Sequence, residues 1–208
     1  MNAIGSYFVK NSEDGISLKN NVVEGKKFRF TFFTDRLIRL EYSPNGLFED
    51  RISQRVIYRK FPEVKYTKTQ TDSLIQLSTS YFTLNYDMNK PFLGSKLAPG
   101  TNLNIILNGT DKTWYYKHPE ARNFGGLSYS LDEFSGKLKL GKGLYSTDGF
   151  AVLDDSDSCV LDNSNFIERN KGNIDIYVFM YRKDLGLCLK DYYELTGYPS
   201  LVPRYALG

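Results

Sequence analysis

Histidine, tryptophan and cysteine are scarce in this 208-residue chain, which has one His, one Trp and two Cys. His118 alone cannot build a histidine-based triad or a multi-histidine metal site, so no metal and no cofactor are expected. Cys159 and Cys188 are too few for the disulfide framework of a small secreted domain. They are expected as buried free thiols. No run of about 18 apolar residues occurs, and none of signal-peptide length follows Met1. No membrane partner is therefore expected and, with Met1 as the native start, the expected compartment is cytoplasmic. A dominant charge is missing too. The 27 basic and 24 acidic residues are well mixed and leave a net charge of +3, which is too weak for a nucleic-acid footprint.

Aromatic residues are abundant instead. They make up 15% of the chain, with 16 Tyr and 14 Phe, beside 17 Gly and 7 Pro for turns. Tyr and Phe favour strands, and one domain of about 200 residues suits an all-β sandwich. Phe28, Phe30 and Phe32 alternate with Arg29 and Thr31, the period-two pattern of a half-buried strand. Leu37–Tyr42 follows after Thr34-Asp35-Arg36, so the two runs read as a hairpin. Further strands are expected at Val56–Tyr58, Val64–Thr69, Leu74–Ser78, Tyr81–Asn85, Leu103–Leu107, Thr113–Lys117, Gly149–Leu153, Phe166–Glu168 and Ile174–Tyr181. Asn45-Gly46 and Asn108-Gly109 supply turn chemistry. Ile174, Ile176, Val178 and Met180 share one face opposite Tyr177, Phe179 and Tyr181, as in a strand in the middle of a two-sheet sandwich. One helix is expected, from Asp184 as N-cap to Thr196, with Gly197 as its stop and Pro199 beyond. The expected class is all-β: a two-sheet antiparallel sandwich with one C-terminal helix and a linker.

The last residues, Leu195-Thr-Gly-Tyr-Pro-Ser-Leu-Val-Pro-Arg-Tyr-Ala-Leu-Gly208, read as a helix end, a proline-spaced connector and the start of a further element. A fragment of a longer protein is expected. This run resembles the segment of glycoside hydrolase family 31, the alpha-glucosidase family, that leads from an N-terminal β-sandwich into the catalytic barrel. Val202 stands where that family commonly has proline. Three more blocks are similar to the family in the same order. Ile38-Arg-Leu-Glu-Tyr-Ser-Pro-Asn-Gly-Leu-Phe-Glu-Asp50, closed by Arg59, resembles an early strand and turn. Asn123-Phe-Gly-Gly126 with Leu131-Asp132 resembles a loop segment of one bacterial branch. Gly143-Leu-Tyr-Ser-Thr-Asp-Gly-Phe-Ala-Val-Leu-Asp-Asp-Ser156 resembles a further block, with Thr147 in place of the usual Arg and Phe150 in place of Trp.

The resemblance implies a galactose-mutarotase-like sandwich over residues 1–182, then a helix and linker over 183–208 leading to a (β/α)8 barrel outside this chain. It implies retaining hydrolysis of α-glucosidic bonds by the full-length enzyme. The catalytic aspartates would lie in the barrel, so no catalytic residue is expected here and the fragment alone should be inactive. The implied partners are that barrel and an α-linked oligosaccharide. In this family a sandwich loop reaches the barrel mouth, and the corresponding region is Arg122 to Asp148. Arg122, Asn123, Asp132 and Asp148 are the candidate sugar-contacting residues, able to make directed hydrogen bonds to hydroxyls. A purely structural role for them, capping loops around Gly125-Gly126, is the competing expectation.

Other features have plainer readings. The acidic run Asp154–Ser158 lacks the Gly and distal Glu of a calcium loop and reads as a solvated turn. Trp114, Tyr115 and Tyr116 could form a sugar-stacking platform, but an aromatic strand packed into the core is the stronger expectation. Asn108-Gly-Thr110 matches a glycosylation sequon and reads more simply as a hairpin turn. The alternative function is an independent carbohydrate-binding sandwich. A mutarotase-like enzyme is disfavoured by the single histidine.

Overall fold

The computed structural model describes residues 11–94, 101–126, 135–163, 165–199 and 205. In chain order the strands are β1 (Val22–Glu24), β2 (Phe28–Phe32), β3 (Leu37–Tyr42), β4 (Thr67–Gln70), β5 (Leu74–Ser78) and β6 (Phe82–Asp87). They continue with β7 (Leu103–Leu107), β8 (Thr113–Tyr115), β9 (Phe150–Asp154), β10 (Val160–Asp162), β11 (Asn165–Ile167) and β12 (Ile174–Met180). Helix α1 (Leu185–Thr196) follows. Two five-stranded antiparallel sheets, β1-β2-β3-β12-β9 and β4-β5-β6-β7-β8, form an all-β sandwich, and β10-β11 makes a separate two-stranded ribbon.

Alternation builds the layer between the sheets. Phe28, Phe30 and Phe32 of β2 and Ile176, Val178 and Met180 of β12 meet Ile75, Leu77, Phe82, Leu84, Ile105 and Trp114 of the second sheet. Rings of this size each bury about 150–250 Å², so a few dominate the core. Phe28 and Phe30 lie edge-on to Tyr86, with centroids 5.2 and 5.6 Å away.

The two sheets treat their outer faces differently. That of the first is buried as well, because β12 is apolar on both sides. Tyr177, Phe179 and Tyr181 join Phe33, Leu37, Val56, Phe61, Cys188 and Leu195 in a second core under α1. Asp184 caps the helix by accepting from Leu187 N at 3.1 Å, and Gly197 ends it at φ 95°. Arg36 donates to Asp191 at 2.7 Å, which ties the helix to the β2–β3 turn.

The rest of that outer face carries a buried ion network. Arg39 forks onto both oxygens of Asp175 at 2.7 Å, and Arg29 grips Glu41 at 2.6 and 3.0 Å. Arg169 bridges Asp155 and Asp175. Arg59 donates to the Tyr177 hydroxyl at 2.8 Å and to the Arg51 carbonyl at 2.7 Å. Ser53 holds Asp155 at 2.9 Å, and the Glu49 carbonyl accepts from Arg29 and Arg39. The segment from Glu49 to Arg59 is thereby fastened over the sheet. Paired and bidentate geometry is what makes buried charge tolerable.

Four expectations change here. Val56–Tyr58 is not a strand, because the N–H groups of Ile57 and Tyr58 both go to the carbonyl of Leu195 at the end of α1. That carbonyl is one of the orphans a helix end must satisfy. The fourth strand begins at Thr67 rather than Val64, whose N–H bonds the Asn21 side chain at 2.9 Å. The acidic run is only partly a solvated turn. Asp154 and Asp157 are exposed, but Asp155 is fully buried in the ion network. Of the cysteines, Cys188 is buried and Cys159 half-buried, and both are free.

Candidate functional site

The candidate sugar-contacting residues all fall, by sequence position, in the connection between β8 and β9. The chain leaves β8 through two left-handed residues, Lys117 at φ 63° and Glu120 at φ 52°. Non-glycine residues in this region are uncommon and gather at functional sites. A local hydrogen bond helps to hold the turn, with Glu120 N donating to His118 Nδ1 at 3.0 Å. In the neutral ring the proton then sits on Nε2. Burial lowers the His118 pKa, while Asp148 and Glu120 partly counter it.

Residues 122–126 then run antiparallel to 141–147. Thr147 N donates to Arg122 O, Phe124 N to Tyr145 O, and Gly126 and Gly141 exchange two bonds at 3.0 Å. Asn123 is the pin of this ribbon. Its Oδ1 accepts from Gly125 N at 2.9 Å and Gly143 N at 2.7 Å, and its Nδ2 donates to Gly143 O at 2.8 Å. Gly143 is required there, because a Cβ would lie 2.2 Å from the Gly125 carbonyl oxygen.

Arg122 and Asp148 come together across the base of the ribbon. Asp148 Oδ1 lies 3.6 Å from Arg122 Nη1 and 4.0 Å from Lys112 Nζ. Asp148 is largely covered, whereas the Arg122 side chain is 63% exposed. These are charge pairs without close hydrogen bonds, so both groups keep donors and acceptors for a ligand. Asp132, the fourth candidate, lies outside the described residues.

Sequence reasoning missed Glu120. Its side chain is 3% exposed, Oε1 accepts from Lys142 Nζ at 2.7 Å, and Oε2 is buried without a hydrogen-bond partner. An unpaired buried carboxylate oxygen is costly. Nothing in the sequence around Glu120 marks it. Lys112, His118, Glu120, Arg122, Lys142 and Asp148 together make a polar cluster able to recognise hydroxyls. Among the described residues no group of His, Cys, Asp or Glu is arranged to hold a metal ion.

Two other places have the shape or the chemistry of a site. A cleft of 1360 Å³ lies between the β2–β3 turn, the 57–65 segment and the C-terminal end of α1, lined by Phe33, Arg36, Tyr58, Phe61, Tyr193 and Tyr198 among others. The ion network has paired carboxylates, yet both are locked. Burial alone would raise the Asp175 pKa, but the charge and hydrogen bonds of Arg39, with Arg169, pull it far below the carboxylate range. Burial and the charge of Asp175 raise Asp155. Trp114 is buried in the core, while Tyr115 and Tyr116 are half-buried. Burial also pushes the Cys188 thiol well above its ordinary value, which makes it unreactive. No helix among the described residues is long and apolar enough to cross a membrane.

No protein-family model and no curated protein sequence matches the chain. Among solved structures it is similar to the Flavobacterium johnsoniae family 31 glycoside hydrolase dextranase complexed with glucose. The identity is 14% and the TM-score 0.47, over 91% of this chain and 27% of the dextranase. A point mutant of the same enzyme complexed with isomaltotriose gives 17% identity and a TM-score of 0.45 over the same shares. The chain thus spans about a quarter of the length of those enzymes. At this likeness, family and activity are left to the residues themselves.

Proposed function

We propose that this chain is the non-catalytic N-terminal sandwich of a family 31 glycoside hydrolase of α-glucosidase type, supporting a barrel and shaping its substrate entrance. One observation carries the reading: the sequence blocks that resemble the family pair with one another in space. Arg39 and Glu41, the closing Arg59, and Asp155 of the later block meet in a single ion network. The Asn123-Phe-Gly-Gly126 block pairs through Asn123 and Phe124 with the block that starts at Gly143.

In this reading the ribbon and the Arg122–Asp148 pair face the sugar next to the scissile bond, and the cleft beside α1 receives the barrel. Retaining hydrolysis needs two carboxyls about 5–5.5 Å apart, one as nucleophile and one as acid/base. Both are assigned to the barrel. Arg122 and Asp148 would orient hydroxyls without taking part in bond cleavage.

The test is enzymatic. The 208-residue chain should release no glucose from maltose or isomaltose. A protein whose coding sequence continues past Gly208 into strand–helix repeats should hydrolyse one of them with retention, read by proton NMR of the first-formed anomer. In that protein Arg122→Ala should raise KM about tenfold, the worth of one charged hydrogen bond, with kcat nearly unchanged. Hydrolysis by the 208-residue chain alone, or a continuation without such repeats, overturns the proposal.

A further inference from the structure

The outer face of the second sheet is open to solvent along β4–β8 and almost free of charge. Register places Thr69, Gln76, Asn85, Asn104 and Tyr115 in one row across the five strands. A parallel row holds Thr67, Ser78, Thr83, Ile106 and Thr113. Among the outward positions of these strands only Asp87 is charged, in a chain that is 25% Asp, Glu, Lys and Arg. Charged side chains ordinarily sit on solvent-facing surface; this face carries amides and hydroxyls.

The amides are also oriented. Gln76 Nε2 donates to Asn85 Oδ1 at 2.8 Å, and Asn85 Nδ2 donates to Asn104 Oδ1 at 3.1 Å. This chain fixes the side chains and leaves groups over: the Gln76 carbonyl, one N–H on Asn85 and both on Asn104. Ser78 and Thr83 are likewise linked at 3.0 Å, and Thr83 donates to Asn108 at 3.1 Å. At one end Tyr115 is held edge-on to His118, with centroids 4.7 Å apart, which fixes an aromatic ring beside the row. Leu74 and Ile106, 55% and 41% exposed, put apolar points on either side of the amide row, Leu74 opposite Asp87 and Ile106 within the second row. With strands about 4.8 Å apart, the five-residue row spans roughly 19 Å.

We infer that this face binds a neutral oligosaccharide chain, its hydroxyls on the Gln76–Asn85–Asn104 row and the apolar face of one sugar ring on Tyr115. The charge pattern selects that ligand. A nucleic acid or an acidic glycan needs cations that these strands do not present outward, and a protein partner needs a contiguous apolar centre, which the polar rows interrupt. A neutral polyhydroxyl chain needs what is there: oriented amides that rank donors and acceptors in a line, with apolar contacts beside them. The inference stands on the sheet face alone and does not depend on the hydrolase reading.

The side-chain amide signals of Gln76, Asn85 and Asn104 report on it directly. In an NMR titration of the isotope-labelled 208-residue chain, they should shift with at least one of maltohexaose, isomaltohexaose and cellohexaose, and the three sugars distinguish the linkage. Gln76→Ala with Asn104→Ala should weaken binding at least tenfold. Should that double variant lose its near-UV circular dichroism, the single Asn85→Asp should weaken it in the same direction by charging the row. No shift with any of the three at millimolar sugar overturns the inference. So do shifts confined to residues 118–126 and 141–148, which would assign the sugar to the β8–β9 connection instead.

Discussion

The two sheets of this sandwich share one inner core and differ on their outer faces. On the first sheet that face is buried twice over, beneath α1 at one end and beneath an ion network at the other. On the second it faces solvent and is mostly polar, with Asp87 the one charge among its outward strand positions. On these two faces charge thus lies where water is absent and is nearly missing where water is present, the reverse of the usual arrangement. Buried charge persists here because each guanidinium meets a carboxylate or a fixed carbonyl; the network then holds down a segment of chain that has no strand to belong to. The neutral face has no such tethering to do. Substitutions on the two faces should therefore differ sharply in cost.

The largest effect is expected at Asp175. Asp175→Ala leaves Arg39 and Arg169 buried without their shared partner, and removing one member of a buried pair costs about 3–5 kcal/mol. Urea denaturation followed by circular dichroism measures it; a loss under about 1 kcal/mol would mean that water already fills the network. The pH dependence has a defined sign. The Asp175 pKa is depressed in the folded state, so its stabilisation is complete above the unfolded value of about 3.9 and is lost as pH falls below it. Glu41 and Asp155, raised mainly by burial, act oppositely: their stabilisation is present at low pH and lost as pH rises through their folded values. Asp175→Asn should flatten the acid limb of the stability curve below pH 4 and leave the limb above it.

Next comes Leu195→Ala, about 3 kcal/mol, because this fully buried side chain closes the second core while its carbonyl receives Ile57 and Tyr58. The measurement that separates packing from tethering is hydrogen exchange. Protection at Ile57 and Tyr58 should fall with α1 protection, while β5 and β6 stay protected. Asp184→Ala removes only the helix cap and should cost about 1 kcal/mol, read from the thermal midpoint.

The comparison also marks how far the residues alone could be read. Inner-face alternation was legible in Phe28, Phe30 and Phe32, and the double-sided character of β12 in Ile176 beside Tyr177, since both follow from period two. The helix was legible from Asp184 to Gly197 because its caps are local. What was hidden is non-local. Val22–Glu24 and Val160–Asp162 are too short to show a period and exist by pairing, with β2 and β11 respectively. Asp155 looks like its exposed neighbours Asp154 and Asp157 until Arg169 and Ser53 arrive from elsewhere in the chain. In the candidate site, the polar residue types of the Arg122–Asp148 region were legible. The 3.6 Å approach of the pair, and the burial of Glu120, depend on how the ribbon folds back.

The smallest expected effect is the sharpest test of the contrast between faces. Asparagine is a poor strand former and valine a good one, yet β6 and β7 each carry an asparagine at the centre of the open row. The bonds of Asn85 to Gln76 and Asn104 lie at the surface, where water replaces them at little cost. Asn85→Val should therefore be neutral or stabilising by up to about 0.5 kcal/mol, measured by urea denaturation of the same chain. A sheet that keeps Asn where Val would serve folding better is holding that row for something other than stability. If Asn85→Val instead destabilises by more than about 1 kcal/mol, the amide row is scaffolding, the two outer faces are alike in purpose, and the case for a ligand on the open one loses its ground.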